Sequence, residues 1–280
     1  MAAGAPSTRI ALLLAYDGTA YRGWQAQRDP ATVQGLLAEA LRPLLGKAVR
    51  LTGASRTDSG VHALGQVATF ESPRPLRPEV VRAALNATLP RDVRVLRATT
   101  VPEGFDARRS ARLKRYGYLI DTAPVGSPFL RRYAWPLGRT LDCGAIQTAL
   151  GAVRGTHDFS AFCAAAGRDR PPTRTVRSVR VVRRESLVGV LVSADSFLHH
   201  MVRNLVGTAV EVGLGRRSAS ALSDALATRD RRRAGSTAPA HGLFLLSVRY
   251  PWPLFPGGGR GRRLPTRPRL CPSLPYQRAP

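Results

Sequence analysis

Arg56-Thr57-Asp58-Ser59-Gly60-Val61-His62-Ala63 is a polar, turn-prone stretch set between two β-like runs, residues 49–52 and 66–70. A carboxylate on a tight loop beside a guanidinium stays ionised, as a nucleophile must, and Asp58 has Arg56 two positions before it. Gly60 lets the backbone turn with positive φ or lets a ligand approach closely. The same residues also suit an Asx-turn closed by a local Arg56–Asp58 ion pair. Taken alone, the loop favours that plainer account, so its surroundings decide.

Upstream, residues 9–16 are a short apolar run ended by Asp17-Gly18, a strand entering a turn. Thr32 is placed to cap a helix in which Val33, Leu36, Leu37, Ala40, Leu41 and Leu44 recur at helical spacing. Downstream, Pro78 suits a first helical turn with Val80, Val81, Ala84 and Leu85 behind it, and residues 93–101 are again β-like. The second half repeats the style. Residues 116–120 read as a strand and 141–153 as an amphipathic helix. Residues 174–183 read as a strand with one wet, arginine-bearing face, and 187–192 follow as its hairpin partner. Residues 196–212 predict one long helix with Phe197, Met201, Leu205 and Thr208 on a stripe. A shorter helix over 219–227 and a last strand over 243–250 complete the pattern.

Strands and helices mix without regular βαβ alternation, which predicts an α+β fold. Two related halves are expected, residues 9–105 and 106–250, with a break near Phe105. Residues 1–8 and the acid-free, Pro/Gly/Arg-rich residues 251–280 are expected to be disordered.

The 280 residues suffice for a sizeable core, and Lys+Arg 43 against Asp+Glu 18 leaves a net charge of +25. Only Lys47 and Lys114 are lysines; all other basic residues are arginines. Such a field steers a polyanion in and holds it by counterion release, which favours a nucleic acid, although excess arginine also arises from coding bias or solubility. Residues 10–16, the longest uncharged apolar stretch, fall far short of the ~20 residues of a membrane helix. Cys143, Cys163 and Cys271 contain no C-x-x-C pair, which excludes a disulfide framework or thiolate zinc site and fits a reducing compartment. The five histidines form no evident metal cluster; His199 and His200, adjacent on a helix, would point apart.

Three further segments carry candidate chemistry. Residues 16–27, YDGTAYRGWQAQ, are polar and aromatic with two glycines, suited to wrapping RNA but common in any loop. In Lys114-Arg115-Tyr116-Gly117-Tyr118 the two tyrosines share one sheet face, as a base-stacking platform or as half-buried β residues. In FLHHMVRN, Arg203 falls about one turn beyond the histidines, a cleft residue or a surface arginine on a core helix.

YDGTAYRGWQAQ, RTDSGVHA, RLKRYGY, HDFSAFC, SFLHHMVRNLVG and APAHGLFL stand in the order and spacing of the TruA-type tRNA pseudouridine synthases. The resemblance spans residues 9–250 and is nearest the vertebrate pseudouridine synthase-like branch. It implies an α+β pseudouridine synthase fold, two halves sharing a mostly antiparallel sheet with a basic cleft between them. It implies isomerisation of uridine to pseudouridine in RNA, in the anticodon arm of tRNA, with neither cofactor nor metal, by a homodimer. Carried over by motif, Asp58 is the catalytic aspartate. Arg56 and Arg203 line the cleft, Arg203 pairing with Asp58, and Tyr116 packs on the target uracil. Leu243 completes the apolar pocket, and Arg22 and Gln25 contact RNA. Ser55 and Ser59 stand where the family often has Gly and Ala. A different class is the alternative: a non-catalytic RNA-binding or ribosome-associated protein that has kept the fold. Retention of Asp58, Tyr116 and Arg203 speaks for activity. The acid-poor start and the vertebrate resemblance point to the mitochondrion, with cytoplasm or nucleus as alternatives.

Overall fold

The computed structural model describes residues 7–27, 31–167 and 171–255. Strand alternation sends Ile10, Leu12, Leu14 and Tyr16 of β1 (Thr8–Tyr16) into the main core and Ala11 to the opposite face. Helix α1 (Val33–Leu45) buries Val33, Leu37, Leu41 and Leu45. Thr32 caps it as expected, its Oγ1 accepting from the Gly35 amide at 3.3 Å. The short β2 (Thr52–Gly53) pairs with β3 (His62–Ser72). Helix α2 (Pro78–Thr88) starts at Pro78 and buries Val81 and Leu85, and β4 (Val93–Val101) follows.

The second half runs β5 (Leu113–Asp121), β6 (Trp135–Pro136), α3 (Cys143–Gly151), β7 (Gly155–Asp158), β8 (Thr173–Arg184) and β9 (Leu187–Ala194). It ends with α4 (Met201–Gly213), α5 (Ala221–Thr228) and β10 (Leu243–Arg249). The ten strands among the described residues form one sheet, in the main order β4-β1-β3-β10-β5-β9-β8-β7. The pairings are antiparallel except β10 with β3 and β5 with β6. The last strand is therefore inserted in the middle, with Phe244 beside His62 on one side and Gly117 on the other. That insertion joins the halves and brings Leu243 close to the Asp58 loop. The class is α+β, with a mostly antiparallel sheet.

Four expectations shift. The helix predicted from residue 196 begins only at Met201, because His200 adopts a left-handed conformation (φ 62°). The His199 carbonyl is taken by the Ala164 amide, at 3.0 Å, so the chain before Met201 is pinned to another segment. The expected break near Phe105 is packed. Phe105 is buried, lies 5.0 Å from the Tyr250 ring, and accepts a hydrogen bond from Arg9 at its carbonyl. Residues 251–255, expected to be disordered, fold back onto the sheet. There Leu254 is buried with Val101 and Phe105, and Arg97 donates to the Phe255 carbonyl at 3.1 Å. At the other end β1 already includes Thr8. Residues 1–6 and 256–280 lie outside the described residues.

Candidate active site

The Asp58 loop is held from three sides. Gly60 has φ 76°, and Val61 closes the turn by donating its amide to the Asp58 carbonyl at 3.1 Å. Tyr16 meets Thr57 hydroxyl to hydroxyl at 2.8 Å. The loop of residues 17–27 packs directly on it, with Trp24 donating its amide to the Thr57 carbonyl at 3.0 Å. That approach needs Gly23, which has φ 86° and where a Cβ would lie 2.6 Å from the Thr57 carbonyl oxygen. His62 bolts the assembly together. Its Nδ1 accepts from the Gly18 amide at 3.0 Å, and its Nε2 faces the Arg132 and His241 carbonyls at 2.8 and 3.0 Å. One nitrogen accepting and the other donating to carbonyls describes a neutral imidazole. Burial, the main cause, pushes its pKa below the ordinary histidine value.

The plainer reading of the loop, a local Arg56–Asp58 pair, is replaced by long-range pairing. Arg203 Nη1, from α4, donates to Asp58 Oδ2 at 3.2 Å. Arg203 is itself held through Nε to the Ala238 carbonyl at 2.8 Å. Arg56 is exposed and has no hydrogen-bond or ion-pair partner among the described residues. The unwound residues before α4 turn both histidines onto the same carboxylate. His199 Nε2 lies 3.5 Å from Oδ1, and His200 Nε2 lies 3.5 Å from Oδ2. The expectation that they point apart holds only on a helix, and neither belongs to one. Burial, first, holds the His200 pKa below the ordinary value, against the pull of Asp58.

Asp58, His199 and His200 are also the one group of three metal-ligand side chains among the described residues, their donor atoms within 4.8 Å. The Arg203 guanidinium already sits on that carboxylate, so the surroundings are cationic and suited to an anionic partner.

Tyr116 on β5 forms the next wall. It is buried, contacts Phe197 edge-on at 5.1 Å between centroids, and meets Ser55 hydroxyl to hydroxyl at 2.8 Å. Burial raises its pKa strongly, so the phenol stays protonated at neutral pH. Tyr118 shares its face but is no stacking platform: it is fully buried and donates to the Pro239 carbonyl at 2.7 Å. Lys114, two residues before Tyr116, is 7 % exposed and opens into the same cleft. Burial, then repulsion from Arg174, lowers its pKa to about 8.

These walls enclose an open cleft of about 1340 Å³. Arg22, Gln25, Arg56, Asp58, Tyr116, Arg203 and Leu243 all line it, although they come from five separate segments. Sequence reasoning missed Ser55, His199, His200 and Lys114 as cleft residues, and His62 as the bolt.

The family described as tRNA pseudouridine synthase matches residues 13–108 and 149–251, most of the chain. The chain belongs to that family. Its relatives include tRNA pseudouridine synthase A of Myxococcus xanthus, 45% identical over 254 residues, covering 89% of this chain and 96% of the relative. The proteins of that name from Azorhizobium caulinodans and Thermoanaerobacter pseudethanolicus are 43% and 40% identical. They cover 91% and 86% of this chain, and 99% of each relative. In this synthase family context the cleft, with one ion-paired aspartate at its floor, is the candidate active site.

Proposed function

We propose that the chain isomerises uridine to pseudouridine in tRNA, within the anticodon arm, with Asp58 as the nucleophile. The observation that carries this reading is the Asp58 carboxylate at the floor of a basic cleft, oriented by Arg203 at 3.2 Å beside the Tyr116 ring. The reaction needs no other reactant. The N1–C1′ bond breaks, the base turns, the C5–C1′ bond forms, and C5 loses a proton while N1 gains one. The carboxylate serves either by adding to C6 or by assisting departure of the base from C1′. Both routes need the base out of its stack, at a cost of a few kcal/mol. Arg22, Arg56 and Arg203 line the cleft where phosphate contacts offset that cost. Arg203 keeps the carboxylate aimed. Tyr116, held as a neutral phenol with its hydroxyl on Ser55, packs against the base.

A homodimer is part of the proposal. Leu246, Gly117 and Leu191 meet on the sheet face turned away from Tyr116, and Gly189, Val182 and Leu119 continue that face. Leu64 and Val182 are 47% and 38% exposed. An apolar sheet face left open on a monomer fits a second copy. For the compartment, Cys143 and Cys163 are free thiols, which fits a reducing one. The mitochondrial assignment rests on composition and the vertebrate resemblance alone, and the bacterial relatives named above favour the cytoplasm.

The test is primer extension on carbodiimide-treated tRNA transcripts after incubation with the protein. New stops at a uridine of the anticodon arm support the reading and name the site. Stops in another arm overturn the arm assignment. Salt-sensitive tRNA binding without stops, on native undermodified tRNA as well as transcripts, establishes a non-catalytic RNA binder.

A further inference from the structure

Outside the cleft, the start of β1, the connection after α1 and the segment before β5 enclose a second hollow of about 550 Å³. Arg9, Lys47, Arg50 and Arg109 supply its cations, with Glu71 and Asp106 as its acids. The acids are already engaged: Glu71 lies 3.6 Å from Arg9 and Asp106 lies 3.8 Å from Arg109. Lys47 and Arg50 are exposed and have no hydrogen-bond or ion-pair partner among the described residues. The hollow therefore carries two uncompensated positive charges. It is not isolated, because Arg109 lines both the hollow and the cleft that holds Asp58. Its side chain is 86% exposed, so the dividing wall is a flexible cation.

We propose that the tRNA backbone leaves the cleft across Arg109 and continues into this hollow, where Lys47 and Arg50 each neutralise a phosphate. The inference rests on the cleft taking tRNA and adds where the rest of that molecule lies. The chemistry favours a sugar–phosphate chain over a base or a peptide. Among the described residues the only aromatic one lining the hollow is Phe70, which is buried and offers no ring to stack on a base. Contacts made only to phosphates position the substrate and carry no sequence preference. The hollow thus measures whether RNA extends beyond the hairpin in the cleft. A full tRNA engages both surfaces, and an isolated hairpin engages one.

The experiment compares wild type with the double variant Lys47→Ala/Arg50→Ala. The substrates are a full-length tRNA and the shortest hairpin cut from it that wild type still modifies. For tRNA, KM rises on the order of tenfold in the variant, with kcat unchanged. The slope of log affinity against log salt becomes shallower by about 1.8, at about 0.9 per phosphate released. For the hairpin, neither quantity changes. Both side chains are exposed, so the melting temperature stays at the wild-type value. An unchanged tRNA slope and KM overturns the proposal. An equal loss on tRNA and hairpin does so too, because it moves the two residues' effect into the cleft. If wild type modifies neither RNA, the catalytic reading fails separately, and the salt slope of tRNA binding still decides the hollow.

Discussion

Replacing Arg203 with Met removes the guanidinium and keeps much of the side-chain volume. Two hydrogen bonds go: Nη1 to Asp58 Oδ2 at 3.2 Å and Nε to the Ala238 carbonyl at 2.8 Å. Both donors belong to the charged guanidinium, and a hydrogen bond to a charged group contributes about 1.5–3 kcal/mol to stability. The Asp58 side chain is 17% exposed and Arg203 15%, so water recovers part of the loss and the lower end applies. The net cost is then about 2 kcal/mol. For a fold of this size that lowers the melting temperature by about 4–8 °C. If the lost aim of the carboxylate is felt fully in the transition state, turnover falls about thirtyfold, at about 1.4 kcal/mol per decade. Arg203→Lys separates positioning from charge, because an ammonium reaches one of the two acceptors but lacks the planar fork. Its turnover falls between the two. Single-turnover kinetics on saturating tRNA reads the effect, with thermal melts as the control. Wild-type turnover in Arg203→Met, at whatever stability, refutes the reasoning that α4 aims the aspartate.

Other perturbations follow from the same contacts. His62 is buried and neutral with its folded pKa below the unfolded value, so the unfolded chain binds the extra proton first as pH falls. Stability therefore drops as pH decreases below about 6.5, and His62→Gln flattens melts recorded between about pH 5 and 8. Lys114→Met removes a penalty of the same sign at higher pH. A lysine whose pKa is lowered from 10.5 to about 8 costs the fold about 3 kcal/mol below pH 8, and the penalty fades above it. The variant melts higher at pH 7, loses that gain near pH 10, and binds tRNA more weakly in filter-binding assays. Leu191→Asp charges the open sheet face; sedimentation velocity shows a dimer in wild type and a monomer in the variant. A wild-type monomer at micromolar concentration removes the second copy from the account.

Much of this site is legible in the chain because its parts are local. A strand, a tight turn and Gly60 place Asp58 on a loop, and KRYGY alternation places Tyr116 and Tyr118 on one face. What local pattern could not show is long-range; the Arg203–Asp58 pair and the place of Leu243 come only from the family resemblance. Arg203 reaches Asp58 across 145 positions, and nothing near Arg56 shows that the local pair is absent. The insertion of β10 between β3 and β5 depends on pairing across the whole second half, so the neighbourhood of Leu243 is a tertiary fact. The helix start failed for a specific reason. Phe197 falls in helical register with Met201 and Leu205, and the backbone hydrogen bond from Ala164 to the His199 carbonyl overrides that periodicity. Periodicity therefore separated two histidines that the fold converges on one carboxylate. Residues 251–255 mislead in the same way: proline breaks regular structure there, yet Leu254 still finds the core.

In the proposed mechanism the Asp58 carboxylate performs chemistry on uridine and is not simply a partner for Arg203. Tritium release from tRNA carrying 5-tritiated uridine measures loss of the C5 proton directly. Asp58→Asn keeps the size of the side chain and its hydrogen bond to Arg203, and filter binding reports whether RNA is still held. That role requires release with wild type and none above background with Asp58→Asn, with tRNA affinity within a few-fold. Release by Asp58→Asn at a rate near wild type contradicts it.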